Sequence, residues 1–168
     1  MDSTPSPPEH LDSIDPTPFA APVPGRVTGR RSDALAPLSR DHHHALAQAM
    51  ALKRATAEAA DEVWAKFAEF WRSEGSEHFA EEESILIPAY AAVADPSHPA
   101  VVRTLLEHAL IRAKVARLEE SETPPAAELQ ELGRWLELHV RLEERILFTL
   151  IEHALPAEVQ ERLVRKLA

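Results

Sequence analysis

The chain has no cysteine. That one absence excludes disulfide stapling, cysteine-ligated zinc, iron–sulfur clusters and thiol catalysis, and it fits a reducing compartment. Glycine is scarce, with Gly25, Gly29, Gly75 and Gly133 the only four, and no P-loop or Gly-rich dinucleotide signature occurs. No apolar run approaches the roughly 18 residues of a membrane span. The first residues show neither a basic start nor an apolar h-region, so no signal peptide is expected. Positive charge is outnumbered, 18 Lys and Arg against 28 Asp and Glu, for a formal charge of −10. That balance argues against nucleic acid or an anionic membrane as partner. A cytoplasmic protein with one folded domain is the expectation for 168 residues.

What is present is proline at one end and helical patterning after it. Residues 1–34 carry Pro5, Pro7, Pro8, Pro16, Pro18, Pro22 and Pro24, half of the 14 prolines. Proline removes backbone donors and favours extended chain, so this segment reads as a tail, or as an arm anchored by Ile14, Phe19 and Val23.

From Leu35 onward apolar residues recur at helical spacing. Leu35, Leu38, His42, Ala45, Ala49 and Leu52 form a first inward stripe. Asp61 serves as N-cap for a second helix, with Trp64, Phe67, Trp71, Gly75, His78, Glu82 and Ile85 inward. Asp95-Pro96-Ser97-His98-Pro99 is a break, with Ser97 as N-cap and Pro99 in the first turn of a third helix. That helix turns Val101, Leu105, His108, Ile111, Val115 and Leu118 inward. Thr123-Pro124-Pro125 separates it from a fourth, whose stripe is Leu129, Leu132, Leu136, His139, Glu143, Ile146 and Leu150. Pro156 opens a short last helix over 156–168 with Val159, Leu163 and Leu167 on one side. The expected fold is all-α: an antiparallel up-down-up-down four-helix bundle over 35–155, a Pro-rich N-terminal arm and a short C-terminal helix. The Trp and most Phe side chains read as core.

Each inward stripe is interrupted by polar residues, and two interruptions are copies of one another. The stretch from His78 to Ile87 returns sixty-one residues later as His139 to Phe148, with the His, two Glu and an Ile-Leu pair in register. Residues four apart share a helix face, so His78/Glu82 and His139/Glu143 each present an imidazole and a carboxylate to one point. The other two helices contribute single inward histidines, His42 and His108, each preceded by an acid (Asp41, Glu107). His43 and His44 point away from the stripe, roughly 100° and 200° round the helix.

A shared site requires its members to lie at equal distances from each intervening turn. The midpoints between successive sets fall at Asp61, beside Asp95-Pro96, and within Pro124-Pro125, where turn chemistry marks breaks. All six side chains therefore belong at one level. A lone His-x-x-x-Glu means nothing, since roughly one is expected by chance; two in register with matching partners point to a metal centre. Burying six such groups costs several kcal/mol unless they pair or share a cation, so inward His merely hydrogen-bonded to Glu is the alternative. No His-x-x-x-His is present, which removes zincin-type sites, and no Glu-x-x-His, which argues against ferritin-like carboxylate bundles. Glu83 and Glu144, next to the inward carboxylates, read as solvated, as do His10, His98 and His153.

At these residues the sequence resembles the hemerythrin-like (HHE cation-binding) family, over about residues 35–155. The resemblance implies a four-helix bundle holding two non-haem iron ions, with His42, His78, Glu82, His108, His139 and Glu143 as ligands and both Glu bridging. It departs from the oxygen-carrying hemerythrins, which have His-x-x-x-His on the third helix and a final Asp; here Arg112 stands four residues after His108. The expected site is more symmetric, with two His per metal and open positions at both. Mixed imidazole and carboxylate ligation suits iron or manganese and tolerates zinc. The function implied is binding or sensing of oxygen or a related oxidant. Alternatives are an enzyme acting on peroxide or nitric oxide through the same site, and an interaction module with structural or no metal.

Overall fold

The computed structural model describes residues 31–167, and all regular structure among them is helical. The arm anchors Ile14, Phe19 and Val23 lie outside the described residues. Five continuous helical segments follow one another: α1 (Ala36–Lys53), α2 (60–91), α3 (Pro99–Glu119), α4 (126–154) and α5 (Ala157–Lys166). None is long and apolar enough to cross a membrane.

The breaks fall where proline and short polar residues were expected, but the caps differ. His98, not Ser97, caps α3, accepting a hydrogen bond from the Ala100 N–H at 3.2 Å, with Pro99 next in the first turn. Ser97 is engaged instead by Asp95, whose carboxylate accepts from the Ser97 N–H and hydroxyl. His98 is therefore half-buried in a structural role rather than solvated. α2 begins at Ala60 with Ala59 before it, so Asp61 lies inside the first turn, where its charge favours the helix N-terminus without a capping bond.

α2 and α4 are not uniform. α2 contains π-helical turns at Trp71–Gly75 and Glu82–Leu86, and α4 contains one at Glu143–Leu147. Each π turn holds one residue more than the α repeat allows, and beyond those opened by Glu82 and Glu143 the inward stripe slips by one. Leu86 is buried where Ile85 was expected, and Leu147 and Ile151 take the places of Ile146 and Leu150, which are only half-buried. On α3 the inward residue before His108 is Thr104, while Leu105 is exposed.

The core has two parts, separated by a polar layer. One contains Ala45–Leu52 of α1, Phe67 of α2, Ile111–Leu118 of α3 and Leu129–Val140 of α4. The other contains Leu35 and Leu38, then Leu86–Tyr90, Val101, and Leu147–Ile151, closed by Leu163 and Leu167. His42, His78/Glu82, His108 and His139/Glu143 lie where each long helix passes from one part to the other. The fully buried side chains supply about 1.5–3 kcal/mol each, and they fix the level at which the polar layer must sit.

Candidate metal centre

His42, His78, Glu82, His108, His139 and Glu143 converge in that layer, each at most 7% exposed. Their ligand atoms form two groups of four, His42/His78/Glu82/Glu143 and Glu82/His108/His139/Glu143, with the two carboxylates common to both. Glu143 lies 3.1 Å from His42 Nε2 and 3.2 Å from His139 Nε2, and approaches His108 Nε2 at 3.5 Å. Glu82 lies 3.2 Å from His108 Nε2 and 3.5 Å from His78 Nε2. Each carboxylate thus faces imidazoles from both halves of the chain.

The outer nitrogens are all engaged, and by carboxylates. His42 Nδ1 is 2.8 Å from Glu144, His108 Nδ1 2.8 Å from Glu83, His78 Nδ1 3.3 Å from Asp41 and His139 Nδ1 3.2 Å from Glu107. An ionised carboxylate only accepts, so these contacts put the proton on Nδ1 and leave Nε2 as an inward lone pair. The Nε2 atoms of His42 and His78 stand 3.0 Å apart, close enough to share a proton or a metal ion.

Glu83 and Glu144 are therefore not solvated bystanders, as expected from the helical wheel. They begin the second position of the π turns, whose wider circuit lets consecutive side chains diverge less, so Glu82 and Glu83 both reach the site region. Glu143 and Glu144 do the same on α4. The signal was in the repeat: acids precede both lone histidines and follow both inward glutamates.

Electrostatics distinguish the inner from the outer carboxylates. Burial pushes Glu82 and Glu143 well above the usual carboxylate range, with Glu143 beside Glu82 adding to its rise. Burial likewise lowers His139 to about 4 and pushes His108 down. Burial opposes ionisation of Glu144 as well, but hydrogen bonds from His42, Ser39 and Arg31 bring it down to about 2. Asp41 is lowered chiefly by its bond to His78. Without a cation, burial favours the neutral forms of Glu82, Glu143, His108 and His139, while hydrogen bonds favour the charged forms of Asp41 and Glu144.

Both oxygens of Glu82 and of Glu143, with Nε2 of His108 and His139, are buried and have no hydrogen-bond partner among the described residues. Orphaned acceptors on that scale are uncommon in a native core. Their donor set of neutral imidazole and carboxylate suits divalent transition metals.

A family model agrees: the hemerythrin HHE cation binding domain matches residues 34–151. The chain belongs to this family. Comparison with curated proteins and with solved structures returned no match. Within this HHE domain, the aromatic residues expected as plain core also touch the site. Phe79 stacks on His108, with centroids 3.8 Å apart, and Phe148 on His42 at 5.1 Å. Trp71, Phe70 and Gly75 line a cavity of about 20 Å³ against His42, His78 and His139, large enough for about one water-sized molecule. A Cβ on Gly75 would meet Trp71 at 2.9 Å, so the glycine lets this wall close over the cavity.

Proposed function

We propose that the protein is a binuclear non-haem iron protein that binds or senses oxygen or a related small oxidant. The observation carrying this reading is the pair of four-residue groups that share Glu82 and Glu143, with both carboxylates and Nε2 of His108 and His139 unpartnered among the described residues. His42 and His78 would hold one ion, His108 and His139 the other, and Glu82 and Glu143 would bridge them. Two bridged irons would supply one-electron redox chemistry and open positions for a small ligand.

The alternation of core parts supports an antiparallel four-helix bundle around the site. α1 and α3 run from the Leu38 core toward the Ala49 core, and α2 and α4 run back.

The chain's own residues do three things. Asp41, Glu83, Glu107 and Glu144 fix the imidazole tautomer and aim, and raise the basicity of the inward nitrogens. Phe79, Phe148 and the two core parts exclude bulk water, so charge interactions at the site are only weakly screened. Trp71, Phe70, Leu136 and Val140 offer an apolar approach to the His42/His78 side, suited to a small uncharged molecule rather than to a charged substrate.

The test is anaerobic iron loading followed by metal analysis and visible spectra before and after oxygen or peroxide. The reading expects two iron equivalents per chain and a reversible spectral change with oxygen. Catalytic consumption of peroxide would favour an enzyme instead. Protein that stays colourless and metal-free would rule the reading out.

A further inference from the structure

Resting on that two-metal reading, the structure assigns positioning roles to two arginines outside the repeated motif: Arg31 for the His42 imidazole and Arg112 for the His108 imidazole. Around His108, Glu83 accepts at 2.8 Å from Nδ1, and Arg112 grips the same carboxylate with both Nη atoms, at 2.6 and 3.1 Å. The Arg112 guanidinium lies 5.4 Å from the Phe79 ring centroid, on the ring that stacks against His108. Arginine, carboxylate, imidazole and phenyl ring close a circuit.

The same circuit occurs around His42. Glu144 accepts at 2.8 Å from Nδ1, Arg31 Nη2 donates to Glu144 at 2.7 Å, and the Arg31 guanidinium lies 5.4 Å from the Phe148 centroid, on the ring stacked against His42. The imidazole–phenyl angle is 16° in both circuits.

The two glutamates are sixty-one residues apart, as the repeat requires, but the arginines and the phenylalanines do not correspond. Arg112 belongs to α3, one turn beyond the histidine it serves, and Phe79 directly follows His78. Phe148 lies beyond the π turn of α4, and Arg31 precedes α1 altogether. Similar geometry is thus built from unrelated positions, as expected if the circuit, and not merely the ancestry of the halves, matters. Arg31 is held there by further bonds to Glu152 at 3.0 Å and to the Glu144 carbonyl, while the Ser32 N–H donates to Glu152 at 2.7 Å. One metal half-site therefore depends on a residue from the segment ahead of the bundle, and the other does not.

Arg112 holds Glu83 bidentately, which fixes that carboxylate in plane as well as in position. Arg31 gives the Glu144 carboxylate one bond and is itself anchored on Glu152. Without its arginine each glutamate is held less firmly, and the contact that selects the imidazole tautomer weakens. Ser39 still holds Glu144 at 2.6 Å, so loss of Arg31 should weaken the half-site without abolishing it.

The test is a titration of full-length protein with cobalt(II) under anaerobic conditions, followed by d–d absorption, in wild type, Arg31→Ala, Arg112→Ala and the double variant. Wild type takes two equivalents; if it does not, the two-metal reading fails and this inference fails with it. Given two, each single variant weakens one equivalent about tenfold, toward the low end for ligand-supporting residues, and alters only that equivalent's spectrum. The double variant weakens both. Unchanged affinities, equal weakening of both equivalents by one substitution, or loss of the same equivalent in both single variants would overturn the assignment. Arg31→Gln and Arg112→Gln, with the same expectations, replace any alanine variant that does not fold.

Discussion

Glu82 and Glu143, sixty-one residues apart, each open a π-helical turn. The two turns stand at equivalent places in the repeat, and each puts an inner carboxylate and an outer one at successive positions. Glu82 turns to the centre while Glu83 reaches the far side of His108; Glu143 and Glu144 divide the same labour around His42. The wide turn is thus part of the site.

Removing one residue from a π turn should restore an α-helix while leaving the downstream core in register. Deletion of Ser84, whose exposed side chain bonds to the Ala80 carbonyl, is expected to leave a cooperatively folded helical protein. Its metal affinity should fall at least tenfold, because Glu83 no longer meets His108. Calorimetry with a metal titration checks both halves; unchanged affinity would show that the π turn does not serve the site.

The slip explains most of what the sequence did not reveal. A 3.6-residue period placed every inward residue of α1 correctly and brought the six polar residues to one level. Beyond Glu82 and Glu143 it went out of step by one, exchanging Ile85 for Leu86 and Ile146 for Leu147. It also turned Glu83 and Glu144 toward solvent. Nothing in single-residue propensity marks a π turn, and the local cue that existed was the recurrence of the second glutamate. Leu105 failed for a different reason: Thr104 occupies the buried position, and hydrophobicity alone favours leucine. Arg31 follows the proline-rich stretch ahead of the bundle, and its contact with Glu144 has no sequence signature.

Acid and metal should act on stability in linked ways. His108 and His139 are lowered by burial, so the unfolded chain binds their protons first as pH falls below the ordinary imidazole value of 6.5. Their contribution is complete above that value and is lost toward about 4, where His139 titrates. Glu82 and Glu143 are raised, so their contribution is present below the ordinary 4.5 and is lost as pH rises and the unfolded chain alone releases protons. A cation reverses the second effect by favouring both carboxylates ionised. Saturating iron(II) should therefore raise the unfolding temperature more at about pH 7.5 than at about pH 5.5, with protons released on binding. Calorimetry at the two values tests this, and an equal or opposite ordering would count against it.

The packing of α1 on α4 makes an independent prediction about stability. A Cβ on Gly133 would lie 2.8 Å from the Ala49 carbonyl oxygen and 2.8 Å from Leu52 Cβ. Main chain cannot swing aside as a long side chain does, so the helices must separate. Gly133→Ala is expected to cost about 1–3 kcal/mol by overpacking, read from the denaturant midpoint. The site lies in another layer, so two metal equivalents should still bind.

Metal stoichiometry tests most directly whether Glu82 and Glu143 are shared between two ions. Iron bound per chain after anaerobic loading and desalting should be two equivalents in the unaltered protein. It should fall below one in Glu82→Ala and in Glu143→Ala alike, because a bridge serves both ions. Retention of one full equivalent in either variant, or of two, would contradict a shared binuclear centre.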